Sequence, residues 1–266
     1  YGYNEIPVTE FKNSTQGGYS AEMKLEAQTG IFCRGLGYNE IITYSFTSPS
    51  AFDQIRLPKD SPLRNCLRIQ NPLGEDTSVM RTIALPSMMD ILARNSAYHN
   101  KAAKFYEIAK VYLPTEGQVL PQEPKKLLLG TYGAGETFFT LKGEIEAILK
   151  GLRVLPVEYT AEKSNPSYHP GRCAVLSIDG ENVGVMGQVH PLVVKNYGMD
   201  CEVYCAELNL SRLMQLRLPD PTYTPLPPPE SCCGMCVCLI FTGEPVFPPE
   251  RRAWHSLWNF VPTSGR

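Results

Sequence analysis

Between Cys173 and Val189 the chain sets two apolar runs, Cys173–Ile178 and Asn182–Val189, on either side of Asp179-Gly180. Asp-Gly tolerates the positive φ at both central positions of a type I′ turn, so this stretch predicts a two-residue β-hairpin. A tight hairpin forces antiparallel pairing, and the flanking segments extend the pattern. Phe105–Leu113, Lys126–Thr131 and Glu202–Leu208 read as strands, Leu67–Gln70 as a shorter one, and Tyr38–Phe46 as a strand with Ile42, Tyr44 and Phe46 on one face. No regular βαβ alternation separates them. The expected fold is α+β, a mostly antiparallel sheet with helices packed against it.

The helices follow from apolar spacing. In the segment from Ser20 to Leu36, Met23, Ala27 and Ile31 form one row at helical spacing, and Leu25, Phe32 and Leu36 form a second. Ser20 suits the N-cap, and Gly35 or Gly37 the end. An apolar stripe this wide leaves room for one row to face a partner, which makes Met23, Ala27, Ile31 and Phe32 candidate interface residues, together with Tyr44, Phe46, Phe138 and Phe139. Pro86 suits the first turn of a helix running to about Asn100. From Thr140, the residues Leu141, Ile145, Ile148, Leu149 and Leu152 mark a third helix and a second possible contact surface. Pro191–Tyr197 and Leu210–Leu216 are short helices.

Charge and composition exclude several functions. A net charge of −2 gives no basic excess of the kind that grips nucleic acid unaided. No apolar run reaches the length of a membrane-spanning helix, and the opening residues lack the pattern of a signal peptide. Scattered cysteines without a secretion signal read as reduced thiols, so a cytoplasmic location is expected. The absence of an initiator Met suggests a fragment. Ten of the 23 prolines fall between Pro219 and Pro262, a stretch that also holds Cys232, Cys233, Cys236, Cys238 and both tryptophans. No apolar periodicity runs through it, so 219–266 is expected to lack a stable fold. Cys233-Gly-Met-Cys236 has zinc-ligand spacing, but a second properly spaced pair is missing, which argues against a metal site.

Six segments resemble, in order, the beta subunit of bacterial-type phenylalanyl-tRNA synthetase. They are Tyr1–Pro7, Gly35–Phe46, Asn71–Ser87, Phe138–Gly143, His169–Arg172 and Gly184–Pro191. The resemblance implies that residues 1–15 are the remnant of a preceding small helical domain and linker, and that 16–218 form a class II aminoacyl-tRNA synthetase-like core, an antiparallel sheet flanked by helices. It implies a core that does no chemistry, docks the catalytic alpha subunit and contributes to tRNA(Phe) charging only through the complex. ATP and Mg are then expected for the holoenzyme and no cofactor for this chain. The alternatives are an independent class II-like amino-acid-activating enzyme and a stand-alone tRNA-binding module.

Class II activation requires cations around the phosphates of ATP. Arg81 is the candidate for the first, against a reading in which it pairs with Glu75, Asp76 or Glu107. The strand-turn-helix Gly184–Pro191 is the place for the second, and Gly184 and Gly187 are spaced for close approach to phosphate, yet no Arg follows Gly187; His190 reads as a helix cap, and a neutral imidazole cannot replace a guanidinium fork. His169 and Arg172 read as a ligand-facing loop or an interface turn. Arg94, with His99, Lys101 and Lys104, forms a small basic patch able to touch RNA phosphate.

Overall fold

The computed structural model describes residues 2–9, 16–154, 156–219 and 221–223. Nine strands and six α-helices occur among them. In chain order these are α1 (Ala21–Gly35), β1 (Asn39–Glu40), β2 (Phe46–Thr47), α2 (Ala51–Gln54), β3 (Val79–Met80), α3 (Leu85–Ala97), β4 (Ala103–Lys110) and β5 (Lys125–Tyr132). There follow α4 (Phe138–Gly151), β6 (Glu158–Ala161), β7 (Tyr168–Ile178), β8 (Glu181–Val189), α5 (Pro191–Asn196), β9 (Val203–Asn209) and α6 (Leu210–Leu216). The proline- and cysteine-rich stretch from 224 onward, including Cys233 and Cys236, lies outside the described residues, as do residues 1 and 10–15 of the expected N-terminal remnant.

Seven strands form one sheet in the order β1-β4-β5-β9-β8-β7-β6. β1 runs parallel to β4, and every other neighbouring pair is antiparallel. The β7–β8 hairpin turns where its sequence requires: Asp179 has φ 51° and Gly180 φ 76°, and Ile178 pairs with Glu181. β2 and β3 form a separate small ladder.

β5 is central and buried on both faces, which explains its unbroken run Leu127-Leu128-Leu129. Leu127 and Leu129 face a core built with Leu25 and Cys33 of α1, Leu141, Ile145, Ile148 and Leu149 of α4, and Leu213 of α6. Leu128 faces the opposite core, formed by Met88, Met89 and Leu92 of α3 and Val193 and Val194 of α5. Each such side chain contributes about 1.5–3 kcal/mol by leaving water. α3 comes close to β5 because Gly130 has no side chain; a Cβ there would lie 2.6 Å from the Met88 side chain.

Ser20 caps α1 as expected, whereas α4 starts at Phe138 behind Thr137 rather than at Thr140. Ser20 accepts a hydrogen bond from the Met23 N–H, and Thr137 from the Thr140 N–H. Three further expectations need correction, and one strand, β6, was not anticipated. Tyr38–Phe46 is extended but ladders only at its two ends, in β1 and β2. Leu67–Gln70 makes a single isolated bridge, Arg68 to Val79, rather than a strand. The exposed edge strand β6 has too little apolar alternation to stand out in sequence. The stripe Leu141–Leu152 is fully buried, so it is core rather than contact surface.

Candidate functional site

The two apolar rows of α1 have opposite fates. Leu25 and Cys33 are buried, and Phe32 and Leu36 pack against the same core. Met23, Ala27 and Ile31 stay exposed, with Ile31 59% accessible. Beyond α1, the extended chain from Ile41 to Phe46 alternates. Ile41, Thr43 and Ser45 turn partly inward, whereas Ile42, Tyr44 and Phe46 point to solvent, Ile42 at 90% accessibility and Tyr44 at 82%. A groove of about 500 Å³ lined by Ala27, Ile31, Arg34 and Ile42 joins the two rows. It continues into a second groove of about 750 Å³ along Ile42, Tyr44 and Phe46, which Asp90 and Arg94 border. The result is a row of exposed apolar side chains along two adjoining grooves at the β1 edge of the sheet, the second otherwise lined by polar groups such as Ser48, Asp76 and Asp90. Isolated exposed apolar residues need no explanation, but a row of this kind marks a contact surface.

The inward Thr43 anchors this surface. Its hydroxyl donates to the Glu107 carboxylate and accepts from Arg81 Nη1 at 2.7 Å. Arg81 also donates through Nε to the Lys110 carbonyl at 2.8 Å and through Nη2 to Glu107 Oε1 at 3.3 Å. The side chains of Arg81 and Glu107 are 3% and 4% exposed. Of the partners weighed for Arg81, Glu107 is the one observed, and burial removes Arg81 from contact with phosphate, RNA or a partner subunit.

On the α3/α5 face of the sheet lies a cleft of about 610 Å³, lined among others by Thr82, Leu113, Lys126, Glu162, Glu207 and Asn209. Lys126 is the sole cation among its described lining residues, and it lies 3.8 Å from Glu207. Burial pushes the Glu207 carboxyl above its usual range, an effect that Lys126 and the Ala84 N–H oppose. One paired lysine against two carboxylates does not fit a triphosphate.

The glycines suggested for close phosphate approach serve the sheet itself. A Cβ at Gly184 would lie 2.6 Å from the Glu207 carbonyl oxygen, and one at Gly187 would lie 2.5 Å from that of Arg172. His190 caps α5, its Nδ1 accepting from the Leu192 N–H at 3.1 Å. Desolvation first, then the charges of Arg56 and His169, hold its pKa below the ordinary 6.5. The unfolded chain therefore binds the His190 proton more readily. The cap's contribution is complete above pH 6.5 and is lost as pH falls from there toward the lower folded value. We expect His190→Ala to cost about 1 kcal/mol at neutral pH and to flatten the pH dependence of urea unfolding on the acid side. An unchanged slope would exclude this cap as its source.

A second strand-to-helix junction was read from the sequence, but Arg212 in it was not weighed as a cation. β9 runs directly into α6, where Asn209 caps the Arg212 N–H at 3.2 Å. Arg212 is thus a cation in the first turn of a helix after a strand, and the spacing of Asn209 and Arg212 was the available signal. Its guanidinium is occupied by Glu181 on β8, with contacts of 2.7 and 2.5 Å.

The remaining candidates are dispersed. Phe138 packs against the core while Phe139 stays exposed, their rings edge to face at 5.5 Å. His169 accepts from the Gly171 N–H within its own loop. Arg172 donates to Gln188 and Glu202. The basic patch around Arg94 does not form as expected, because Lys104 turns to Glu136 and Glu144. No cluster of metal-ligating side chains occurs among the described residues, nor any helix long and apolar enough to cross a membrane.

Comparison with known proteins agrees with this architecture. The family profile described as phenylalanyl tRNA synthetase beta chain CLM domain matches residues 6–210. The phenylalanine–tRNA ligase beta subunit of Clostridium tetani is 42% identical over 229 residues, covering 85% of this chain and 29% of the relative. That of Clostridium acetobutylicum is 43% identical over 217 residues, covering 81% and 27%. The chain therefore spans less than a third of the length of these relatives. The crystal structure of pyrrolysyl-tRNA synthetase from Desulfitobacterium hafniense superimposes with a TM-score of 0.61 at 15% identity, over 73% of this chain and 68% of that one. The sheet and its flanking helices are thus the class II synthetase fold. On the extent of the profile match and the identity to these relatives, the chain belongs to the phenylalanyl-tRNA synthetase beta chain family, of which it carries the CLM domain.

Proposed function

We propose that this chain is the non-catalytic core of a phenylalanine–tRNA ligase beta subunit, and that it docks the catalytic alpha subunit for tRNA(Phe) aminoacylation in the cytoplasm. The observation that carries this reading is the row of exposed Ala27, Ile31, Ile42, Tyr44 and Phe46 along two adjoining grooves at the β1 edge, with Met23 exposed on the same helical row. A cleft with one paired lysine supports assigning ATP and Mg to the alpha subunit rather than to this chain. Net charge −2 supports contact with tRNA through the assembly rather than by this chain alone.

Size-exclusion chromatography of the chain mixed with its cognate alpha subunit tests the reading. Co-elution as a larger species is expected. Separate elution of two folded proteins would remove the docking role. Amino-acid-dependent ATP–pyrophosphate exchange by the chain alone would replace it with an enzymatic one.

A further inference from the structure

On the face of the sheet opposite the cleft just described, a second cleft of about 760 Å³ opens where β7 and β9 begin, beneath the start of α4. Its walls are Phe138, Phe139 and Tyr159, and its floor is the cross-strand pair Ala161 and Ala174, whose small side chains leave the space. At its rim Arg172 and Glu202 stand side by side, 3.1 Å apart and about half exposed. Neither charge is loosely held. Gln188, which is 6% exposed, accepts from Arg172 Nη1 at 2.9 Å. Tyr204, 2% exposed, donates to Glu202 Oε2 at 2.6 Å. Gln188 and Tyr204 are cross-strand partners, so the sheet itself fixes the charged pair. Arg172 makes both bonds through Nη1, and its side chain is 50% exposed.

The geometry points to a binding site for a free aromatic α-amino acid. Such a molecule carries its carboxylate and ammonium on adjacent atoms, the complement of an adjacent guanidinium and carboxylate. Arg172 takes the carboxylate through the exposed part of its side chain, and Glu202 takes the ammonium. The ring enters between Phe139, which is 78% exposed, and Tyr159, over the small floor. The volume lies within the ordinary range for small-molecule sites, about 300–1,000 Å³. Lys142 sits over the Tyr159 ring at 4.6 Å and holds that wall in place. None of these residues belongs to the proposed docking surface, so the site stands or falls independently of it.

The test is ligand-observed NMR on the full chain with L-phenylalanine and L-tryptophan, against glycine and benzyl alcohol as probes lacking the ring or the charges. Saturable binding is expected for the two amino acids, with dissociation constants in the millimolar range or below. Binding is expected to weaken at least tenfold in Arg172→Ala and in Glu202→Gln, and severalfold in Phe139→Ala. All three side chains are exposed, so circular dichroism should show folded variants. No saturation up to 20 mM of either amino acid would overturn the site. Equal binding by benzyl alcohol, or binding indifferent to Arg172→Ala and Glu202→Gln, would overturn the zwitterion assignment.

Discussion

Replacing Glu107 with alanine is expected to destabilise the fold by about 3–5 kcal/mol, because it strands the Arg81 guanidinium in a dry interior. In a domain of this size that corresponds to a fall in Tm of about 2–4 °C per kcal/mol. The cost arises from desolvation. A buried cation without its carboxylate keeps only the Lys110 carbonyl and the Thr43 hydroxyl as partners, and the hydroxyl loses its own acceptor as well. Removing both charges avoids this penalty, so Arg81→Met combined with Glu107→Leu should recover most of the loss. Urea unfolding of Glu107→Ala, Arg81→Met and the double variant measures the difference. A single-variant loss below about 1 kcal/mol would mean that water reaches Arg81, and would restore it as a candidate for contact with a partner or RNA. The single variants should also loosen alpha-subunit docking, since Thr43 ties the segment bearing Ile42, Tyr44 and Phe46 to β4 through this network.

The same network shows where the sequence was informative. Asp179-Gly180 announced its hairpin because two successive positive φ values admit few residues. Ser20 and His190 announced helix starts because capping is local chemistry, whereas the start of α4, read at Thr140, falls at Phe138 behind a Thr137 cap. The helical stripe of α4 was equally visible, but its burial was not, since periodicity reports a face and not what covers it. In α1 the two rows looked alike in sequence, and tertiary packing alone decided that Leu25 and Cys33 go inward while Met23 and Ile31 do not. Gly184 and Gly187 suggested a phosphate loop, yet the close approach they permit is that of neighbouring strands. A glycine marks a close contact without naming the partner. Arg81 with Glu107 was open for a related reason, since a guanidinium at a strand-helix junction pairs with whichever carboxylate the sheet register delivers. The Arg172–Glu202 cleft lay beyond sequence reading altogether, because its parts are brought together by the pairing of β7, β8 and β9.

Two adjacent residues of α1 now separate folding from docking. Ile31→Asp places a charge on an exposed face and should change the stability of the chain by no more than about 0.5 kcal/mol. The same substitution puts a desolvated carboxylate at the centre of the proposed contact, where loss of an anchor costs about 2 kcal/mol or more, a factor of about 30 in affinity. Phe32 is the opposite case. Its ring lies against the end of α4 so closely that a Cβ at Gly151 would come within 2.8 Å of it. Phe32→Asp removes that packing and buries a charge, so a loss of at least about 3–5 kcal/mol in folding stability is expected. Chromatography with the alpha subunit and urea unfolding of each variant give a two-by-two outcome. Docking lost in Ile31→Asp at unchanged stability assigns the exposed row of α1 to the partner. Equal destabilisation by both substitutions would make both rows core and would leave the β1 edge without its proposed role.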